Sequence, residues 1–275
     1  MHKLIVDANK KGLRLNLKEL FQYKDLFLIL AYRDLRVRYA QTALGLIWVV
    51  IQPLATLLIF ILVFGKAIKV DTGSVPYALF AISGMAAWSY FAFVLAQAGD
   101  SIISAQEMVK KIYFPRLVIP LSKAVVGLVD FCIGLFLVIV LMMVYGFTPS
   151  INIVYFPLFL IMTIISALAV GIWMSALTIR YRDFKHVVPF LVQFGLYATP
   201  VGYPSSLVIN NLPDWASILY YLNPMVGVIE GFRWTLLGQQ APSVYSLISF
   251  SIIIILFISS LFYFKKVERI MADVV

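Results

Sequence analysis

A run of 22 residues without a charged side chain, residues 43–64, constrains this chain more than any other feature. At about 1.5 Å of rise per residue, a helix of this length crosses the hydrocarbon layer of a bilayer, which is about 30 Å thick. The residues just before the run are basic and include Arg33, Arg36 and Arg38. Because positive residues beside a span stay on the cytoplasmic side, the sequence predicts a cytoplasmic N-terminus and an outward first crossing.

Composition indicates several such helices, because 62% of the residues are hydrophobic and only 13% are charged. Soluble chains carry about 25% charged residues. The sequence therefore predicts an all-α integral membrane protein with six transmembrane helices over residues 43–264 and cytoplasmic segments at 1–42 and 265–275. The predicted spans are 43–65, 77–99, 117–146, 152–179, 187–203 and 244–264. This arrangement leaves Lys66, Lys69 and Arg233 on the outer side, keeps the other basic residues on the cytoplasmic side, and makes both termini cytoplasmic.

Two further regions are predicted to be helical without crossing the membrane. Residues 17–38 have helical periodicity, with apolar residues toward one face, which predicts an N-terminal amphipathic helix in the cytoplasmic interface. Packing on a soluble partner is the open alternative. Residues 204–242 are too polar to span, but Asn223-Pro224 predicts the N-cap of a helix that ends at Gly238. With the apolar piece at 213–222, this predicts a short external helical hairpin that dips into the outer leaflet.

Polar residues inside predicted spans mark candidate functional positions. Gln52-Pro53 lies in the first span, where the proline kinks the helix and the glutamine needs a polar partner or a wet cavity. Asp130 lies deep in the third span, on the same face as Lys123. An intramembrane carboxylate is a functional candidate. A structural ion pair with Lys123 or with a neighbouring helix is the equal alternative.

Motifs for catalysis and nucleotide binding are absent from the sequence. There is no G-x4-G-K-[ST], no H-E-x-x-H and no G-x-S-x-G, and there are only two histidines. The single cysteine excludes an internal disulfide and a cysteine metal cluster. The net charge of +9 is explained by positive-inside topology and contact with anionic membrane lipids, without nucleic acid. We therefore expect that this chain is not an enzyme. If it is a transporter, its energy would come from another subunit.

Four blocks of sequence carry a family resemblance. They are RDLRVRYAQTALG at 33–45, followed by Trp48 and Gln52-Pro53; KKIYFPRLVIP at 110–120; RYRDFK at 180–185 with ATPVGYP at 198–204; and NPMVGVIEGFRWTLLG at 223–238. In this order, over nearly the whole chain, they resemble the permease subunits of type-2 ABC exporters for polysaccharides. Such exporters move O-antigen, capsule or teichoic acid from the cytoplasmic to the outer side of the bacterial inner membrane.

The resemblance implies a half-transporter. Two copies would form a channel, and each would dock a separate ATPase subunit that binds ATP and Mg, so this chain itself would hold no cofactor and no metal. Residues 101–115 would be the coupling segment that enters the ATPase. The expected contact residues there are Glu107, Met108, Lys110, Lys111 and Tyr113. A basic loop held on lipid explains the lysines equally. The small residues Ala167, Gly171 and Ser175 suit close helix contact and give weak support to a homodimer.

The substrate expected from the resemblance is a lipid-linked glycan. Arg33, Arg36 and Arg38 are placed to meet a lipid diphosphate at the cytoplasmic entrance, because arginine matches phosphate bidentately. Topology and lipid contact explain them equally well. Aromatic side chains suit the wall of a glycan channel, because they contact the apolar faces of sugar rings without fixed hydrogen bonds. The alternative role for such residues is packing or a position in the membrane interface. The candidates for lining the channel are Trp48, Tyr90, Phe93, Phe194 and Tyr197.

Three competing functions stay open. A permease of the same superfamily could export a drug or a small lipid. A membrane acyltransferase that modifies glycans would need a catalytic histidine in a cavity, but His2 lies in a tail and His186 at the cytoplasmic edge. A flippase driven by an ion gradient would rely on Asp130.

Overall fold

The computed structural model describes residues 17–40 and 45–268, and every regular element in those ranges is helical. The predicted tails at 1–16 and 269–275, and the junction at 41–44, lie outside the described residues. The helices are α1 Leu17–Gln22, α2 Lys24–Ala40, α3 Gly45–Phe60, α4 Tyr77–Ser104, α5 Gln106–Lys111, α6 Val118–Tyr145, α7 Phe156–Arg180, α8 Phe184–Ala198, α9 Ser206–Asn211, α10 Asp214–Tyr221, α11 Pro224–Leu237 and α12 Ser246–Glu268. A π-helical turn, Ile61–Ala67, extends α3, and a 3-10 turn, Ile151–Tyr155, leads into α7.

Five helical segments are long and apolar enough to cross a membrane, and they match five of the predicted spans. They are Ile47–Ala67, Tyr77–Ser104, Val118–Tyr145, Ile151–Arg180 and Ser246–Glu268. The structure corrects the fifth predicted span, 187–203. In its place α8 has 15 residues, about 22 Å of helix, and ends at Ala198. The cause is local: Thr199 precedes a proline and adopts an extended conformation, which proline imposes on the residue before it.

Helix α4 is the centre of the bundle. It packs against α6, α7, α8 and α11, and most of its residues are buried. The small-residue stripe of α7 lies inside this chain: a Cβ on Gly171 would lie 3.0 Å from the Cβ of Ala98 on α4. Close helix contact is therefore confirmed for this stripe. Because the contact is within one chain, the stripe lends no support to a homodimer.

The N-terminal region is two helices, with a turn at Tyr23 between α1 and α2. Helix α2 packs along α6, and Leu30 and Ala31 are its buried apolar residues. Leu28 and Ile29 of the same helix, by contrast, are exposed. This division suits a helix that is docked on the bundle at one side and meets lipid at the other.

The segment before the last span contains three short helices, α9, α10 and α11. The Asn223 side chain accepts a hydrogen bond from the Met225 N–H at 3.0 Å, which confirms the predicted N-cap of α11. Gly238 ends this helix with a φ of +64°, a left-handed conformation that favours glycine. Helix α11 is largely buried against α4, α7 and α12. The segment is thus attached to the bundle by α11, while a dip into the outer leaflet stays a prediction.

Candidate functional site

A groove of about 550 Å³ lies between α3, α4, α6 and α8, next to the end of α2. Its walls bring together several residues that the sequence marked separately. Both intramembrane polar residues line it, as do one arginine and two aromatic residues of the predicted channel. These are Gln52, Asp130, Arg38, Trp48 and Phe93. Gln52 therefore faces a cavity, which is one of the two environments that its depth requires.

Asp130 is held by residues of α2. Its Oδ2 accepts a hydrogen bond from Arg38 Nη2 at 2.5 Å, and its Oδ1 accepts one from the hydroxyl of Tyr39. Burial and the neighbouring carboxylate raise the pKa of Tyr39 well above its usual range, so this hydroxyl stays protonated and donates. A neighbouring helix is thus the partner of Asp130, and the alternative pairing with Lys123 is wrong.

Lys123 makes a second ion pair between the same two helices. Its Nζ donates to Asp34 Oδ2 at 2.6 Å, and Arg33 Nη2 donates to Asp34 Oδ1 at 2.8 Å. Burial alone would raise the pKa of Asp34, but the hydrogen bonds from Lys123 and Arg33 lower it below its ordinary value. Helix α2 is therefore fixed to α6 by two charged pairs, which lie about one turn apart on α2 and two turns apart on α6.

The three arginines of the predicted entrance have different surroundings. Arg33 and Arg38 are engaged by carboxylates, and the guanidinium of Arg38 also lies 4.3 Å from the ring centroid of Phe93. Arg36 is exposed and forms no ion pair with any residue that the structure describes. Only Arg36 thus presents a guanidinium that is not already held by a carboxylate.

The five aromatic candidates do not form one surface. Trp48 and Phe93 line the groove, whereas Phe194 and Tyr197 on α8 are each 60% exposed and lie outside its lining. Tyr90 is 1% exposed, and its hydroxyl donates to the Ala124 carbonyl at 3.1 Å. Tyr90 is therefore a core residue, and its assignment to a channel wall is wrong for this chain's own fold.

The predicted coupling segment is a short helix, α5, between the ends of α4 and α6. Residues 101–104 still belong to α4. Lys111 Nζ lies 3.3 Å from Glu107 Oε2, and both side chains are highly exposed, as is Lys110. Tyr113 is also exposed, at 61%, whereas Met108 packs partly against the core. The charges and Tyr113 thus form an outward surface, but Met108 is mainly an anchor.

Contacts distant in sequence hold this segment in place. The hydroxyl of Tyr113 donates to Glu19 Oε1 at 3.4 Å. The backbone N–H of Arg116 donates to Glu268 Oε1 at 3.1 Å, and Arg116 Nη1 donates to the Glu268 carbonyl at 2.8 Å. Sequence reasoning missed the link to Glu268 because the two residues are 152 positions apart. The segment and Arg116, the residue that follows it, are therefore joined to the first and the last helix of the described chain.

At the opposite end of the bundle, Glu230 and Arg233 do not form the ion pair that their i,i+3 spacing suggests. The Glu230 carboxylate accepts hydrogen bonds from the hydroxyls of Ser205, Tyr221 and Ser246 and from the Ser243 N–H at 3.3 Å. Arg233 is buried and donates to two backbone carbonyls, Phe80 O at 3.3 Å and Val201 O at 2.8 Å. Each of the two charges is thus satisfied by neutral hydrogen-bonding groups. Among the described residues, no group of three or more His, Cys, Asp or Glu side chains could hold a metal ion.

The sequence model of the ABC-2 type transporter family matches residues 25–237. The chain belongs to this family. The matched region runs from α2 to α11 and so contains the groove, α5 and Glu230. This ABC-2 membrane subunit is therefore an integral membrane protein with several spans, as its hydropathy requires.

Relatives of this ABC-2 chain match it over most of their length. It is 30% identical over 263 residues to the O-antigen export system permease protein RfbA of Klebsiella pneumoniae, covering 95% of this chain and 98% of that one. It is 28% identical over 254 residues to the RfbA protein of Myxococcus xanthus, covering 91% and 96%. It is 20% identical over 205 residues to the polysialic acid transport protein KpsM of Escherichia coli, covering 72% and 76%.

Proposed function

We propose that this ABC-2 permease is the channel-forming subunit of an ATP-driven exporter for a lipid-linked polysaccharide. The cargo would move from the cytoplasmic to the outer side of the bacterial inner membrane, and both termini of the chain would be cytoplasmic. The observation that carries the proposal is similarity over 95% of the chain to an O-antigen export permease, in a chain whose sequence has no P-loop. ATP and Mg would be bound by a separate subunit.

The ATPase subunit would dock on α5 and the residues that follow it. Support comes from the exposed charges of Glu107, Lys110 and Lys111 and from the exposed ring of Tyr113. The links to Glu19 and Glu268 support the same proposal, because they would carry a displacement of α5 into helices at both ends of the chain.

The path of the glycan would use the groove between α3, α4, α6 and α8. Helix α3 is the least enclosed of the spans, and its apolar side chains Leu58 and Ile59 are exposed. A second copy of the chain would cover this surface and turn the groove into part of a channel. Within it, Trp48 and Phe93 offer aromatic faces to sugar rings, while Arg36 would meet the lipid diphosphate at the entrance.

The test is to delete the chromosomal copy of this chain and to measure glycan on both sides of the inner membrane. The proposal expects surface glycan to disappear, lipid-linked glycan to accumulate in the cytoplasm, and a plasmid copy of the chain to restore export. Unchanged surface glycan in the deletion strain, with no cytoplasmic accumulation, would overturn the proposal. Retention of a small lipid or drug without any glycan would favour the alternative cargo.

A further inference from the structure

The outer end of the bundle contains a cavity of about 850 Å³ to which no role has yet been assigned. It lies between the loop before α4, the start of α9 and the loop that joins α11 to α12, at the end of α4 opposite to α5. Its volume is within the range of about 300–1,000 Å³ in which small molecules bind. The cavity therefore lies on the side to which the proposed exporter would move its cargo.

The walls of the cavity are held rigidly. Glu230 lines it and connects three segments, because its carboxylate accepts hydrogen bonds from Ser205 after α8, from Tyr221 at the end of α10 and from Ser246 at the start of α12. Gln239 Nε2 donates to the Thr72 carbonyl at 3.1 Å and joins the remaining two loops. A binding surface fixed in this way loses little conformational entropy when it takes up a ligand.

Several polar side chains in the same wall have unused hydrogen-bonding capacity. Ser206, Asn210 and Gln240 line the cavity, and none of them makes a side-chain hydrogen bond to a residue that the structure describes. Each of these groups is neutral and carries both donors and acceptors. A hydroxyl-rich ligand matches such groups, because every hydroxyl is itself a donor and an acceptor.

The charges of the wall disfavour an anionic ligand. Two carboxylates, Asp71 and Glu230, line the cavity together with one guanidinium, that of Arg233. Arg233 is almost wholly buried, and two backbone carbonyls already accept from it. An anion would therefore meet a wall of net negative charge whose single cation is already engaged.

We infer that this cavity is a binding site for a neutral oligosaccharide segment, taken up by Ser206, Asn210 and Gln240. The inference rests on the proposed function for its cargo, since the segment would be the exported glycan as it leaves the permease. Free sugars of the envelope have the same chemistry and are the second source. The site would give the emerging chain a weak, hydrogen-bonding hold on the outer side.

The test uses the full-length permease in lipid nanodiscs and saturation-transfer NMR. The probe is an oligosaccharide of two to four repeat units released from the strain's own surface glycan, with inorganic phosphate as a second probe. The triple variant Ser206→Ala, Asn210→Leu, Gln240→Leu is compared with Asn211→Leu. Asn211 is a matched control because it is the next residue of α9, does not line the cavity, and donates to the Leu207 carbonyl at 2.8 Å.

The inference expects the oligosaccharide to bind the native chain and Asn211→Leu alike, and about tenfold or more weakly to the triple variant, because several neutral hydrogen bonds are lost. A thermal midpoint measured in parallel verifies that the triple variant is folded. Equal binding to all three proteins, no oligosaccharide binding, or binding of phosphate alone would each overturn it. Competition by unrelated neutral sugars at equal affinity would identify free envelope sugars as the source.

Export in the deletion strain separates this inference from the proposed function. Loss of export on deletion together with failure of the binding test would refute the site alone. Normal export in the deletion strain would refute the proposed function whatever the binding result.

Discussion

The ion pair between Arg38 and Asp130 gives the sharpest prediction about how the N-terminal helix is held. The pair joins α2 to α6 with an N–O distance of 2.5 Å, and the two side chains are 36% and 16% exposed. Two unit charges about 4 Å apart attract each other by about 4 kcal/mol at an effective dielectric constant of 20. Desolvation of Asp130 and the solvent access of Arg38 offset much of this attraction, so we expect a coupling energy of about 1–2 kcal/mol.

A double-mutant cycle with Arg38→Gln and Asp130→Asn measures this coupling. Arg38→Gln should be the more damaging single change, because it leaves the less exposed Asp130 carboxylate with only the Tyr39 hydroxyl as a partner. The loss in the free energy of unfolding should be smaller in the double variant than the sum of the losses in the two single variants. Each kcal/mol should move the thermal midpoint of the purified protein by about 2–4 °C.

Arg36→Gln is the matched control for this cycle, because Arg36 lies on the same helix and forms no ion pair with any described residue. It should change the free energy of unfolding by less than about 0.5 kcal/mol. Additive effects of the two single substitutions, or an Arg36→Gln variant as unstable as Arg38→Gln, would refute the reasoning that this pair fixes α2 to α6.

Three further predictions concern other parts of the chain. The pKa of Asp34 is lowered in the folded chain, so its carboxylate should stabilise the fold fully above its ordinary pKa of 3.8 and lose this contribution as pH falls through the lowered value. In Asp34→Asn the thermal midpoint should therefore fall less steeply with decreasing pH below about pH 4 than it does in the native chain. Gly231→Ala should destabilise by about 1–3 kcal/mol or more in a detergent melt, because its Cβ would lie 1.9 Å from the ring of Phe159; an unchanged midpoint would contradict this packing. Changing the exposed Ile112 and Tyr113 to alanine should abolish co-purification of the ATPase subunit and lower the midpoint only slightly, because the hydrogen bond that is lost, from Tyr113 to Glu19, is long and exposed; retained ATPase would count against docking at α5.

Features that depend on neighbouring residues in the sequence were predictable. Long apolar runs with few charges located five of the spans because span length and apolarity are local properties. Asn223-Pro224 located the start of α11 for the same reason, since a cap is made by the residue beside the helix. The fifth predicted span, 187–203, was drawn too far because hydropathy continues past the point where Thr199 and its following proline stop α8.

Features that depend on helix packing were not predictable. Lys123 and Asp130 share a face of α6, which suggested a pair, but α2 supplies a carboxylate to the first and an arginine to the second. Tyr90 has the same side-chain chemistry as a channel residue, and only the packing of α4 on α6 shows that it is buried. Spacing within one helix indicates which residues are close enough to pair. The packing of the neighbouring helix decides which pairs form.

The central claim is tested most directly by reconstituting the permease with its ATPase subunit in vesicles that carry a labelled lipid-linked glycan on the ATPase side. The account predicts that ATP moves the glycan to the opposite side, where periodate reaches it only after the transfer. It also predicts that omission of the permease or of ATP stops the transfer. Full ATP hydrolysis by the complex without any movement of glycan, in vesicles that remain sealed, would contradict the account.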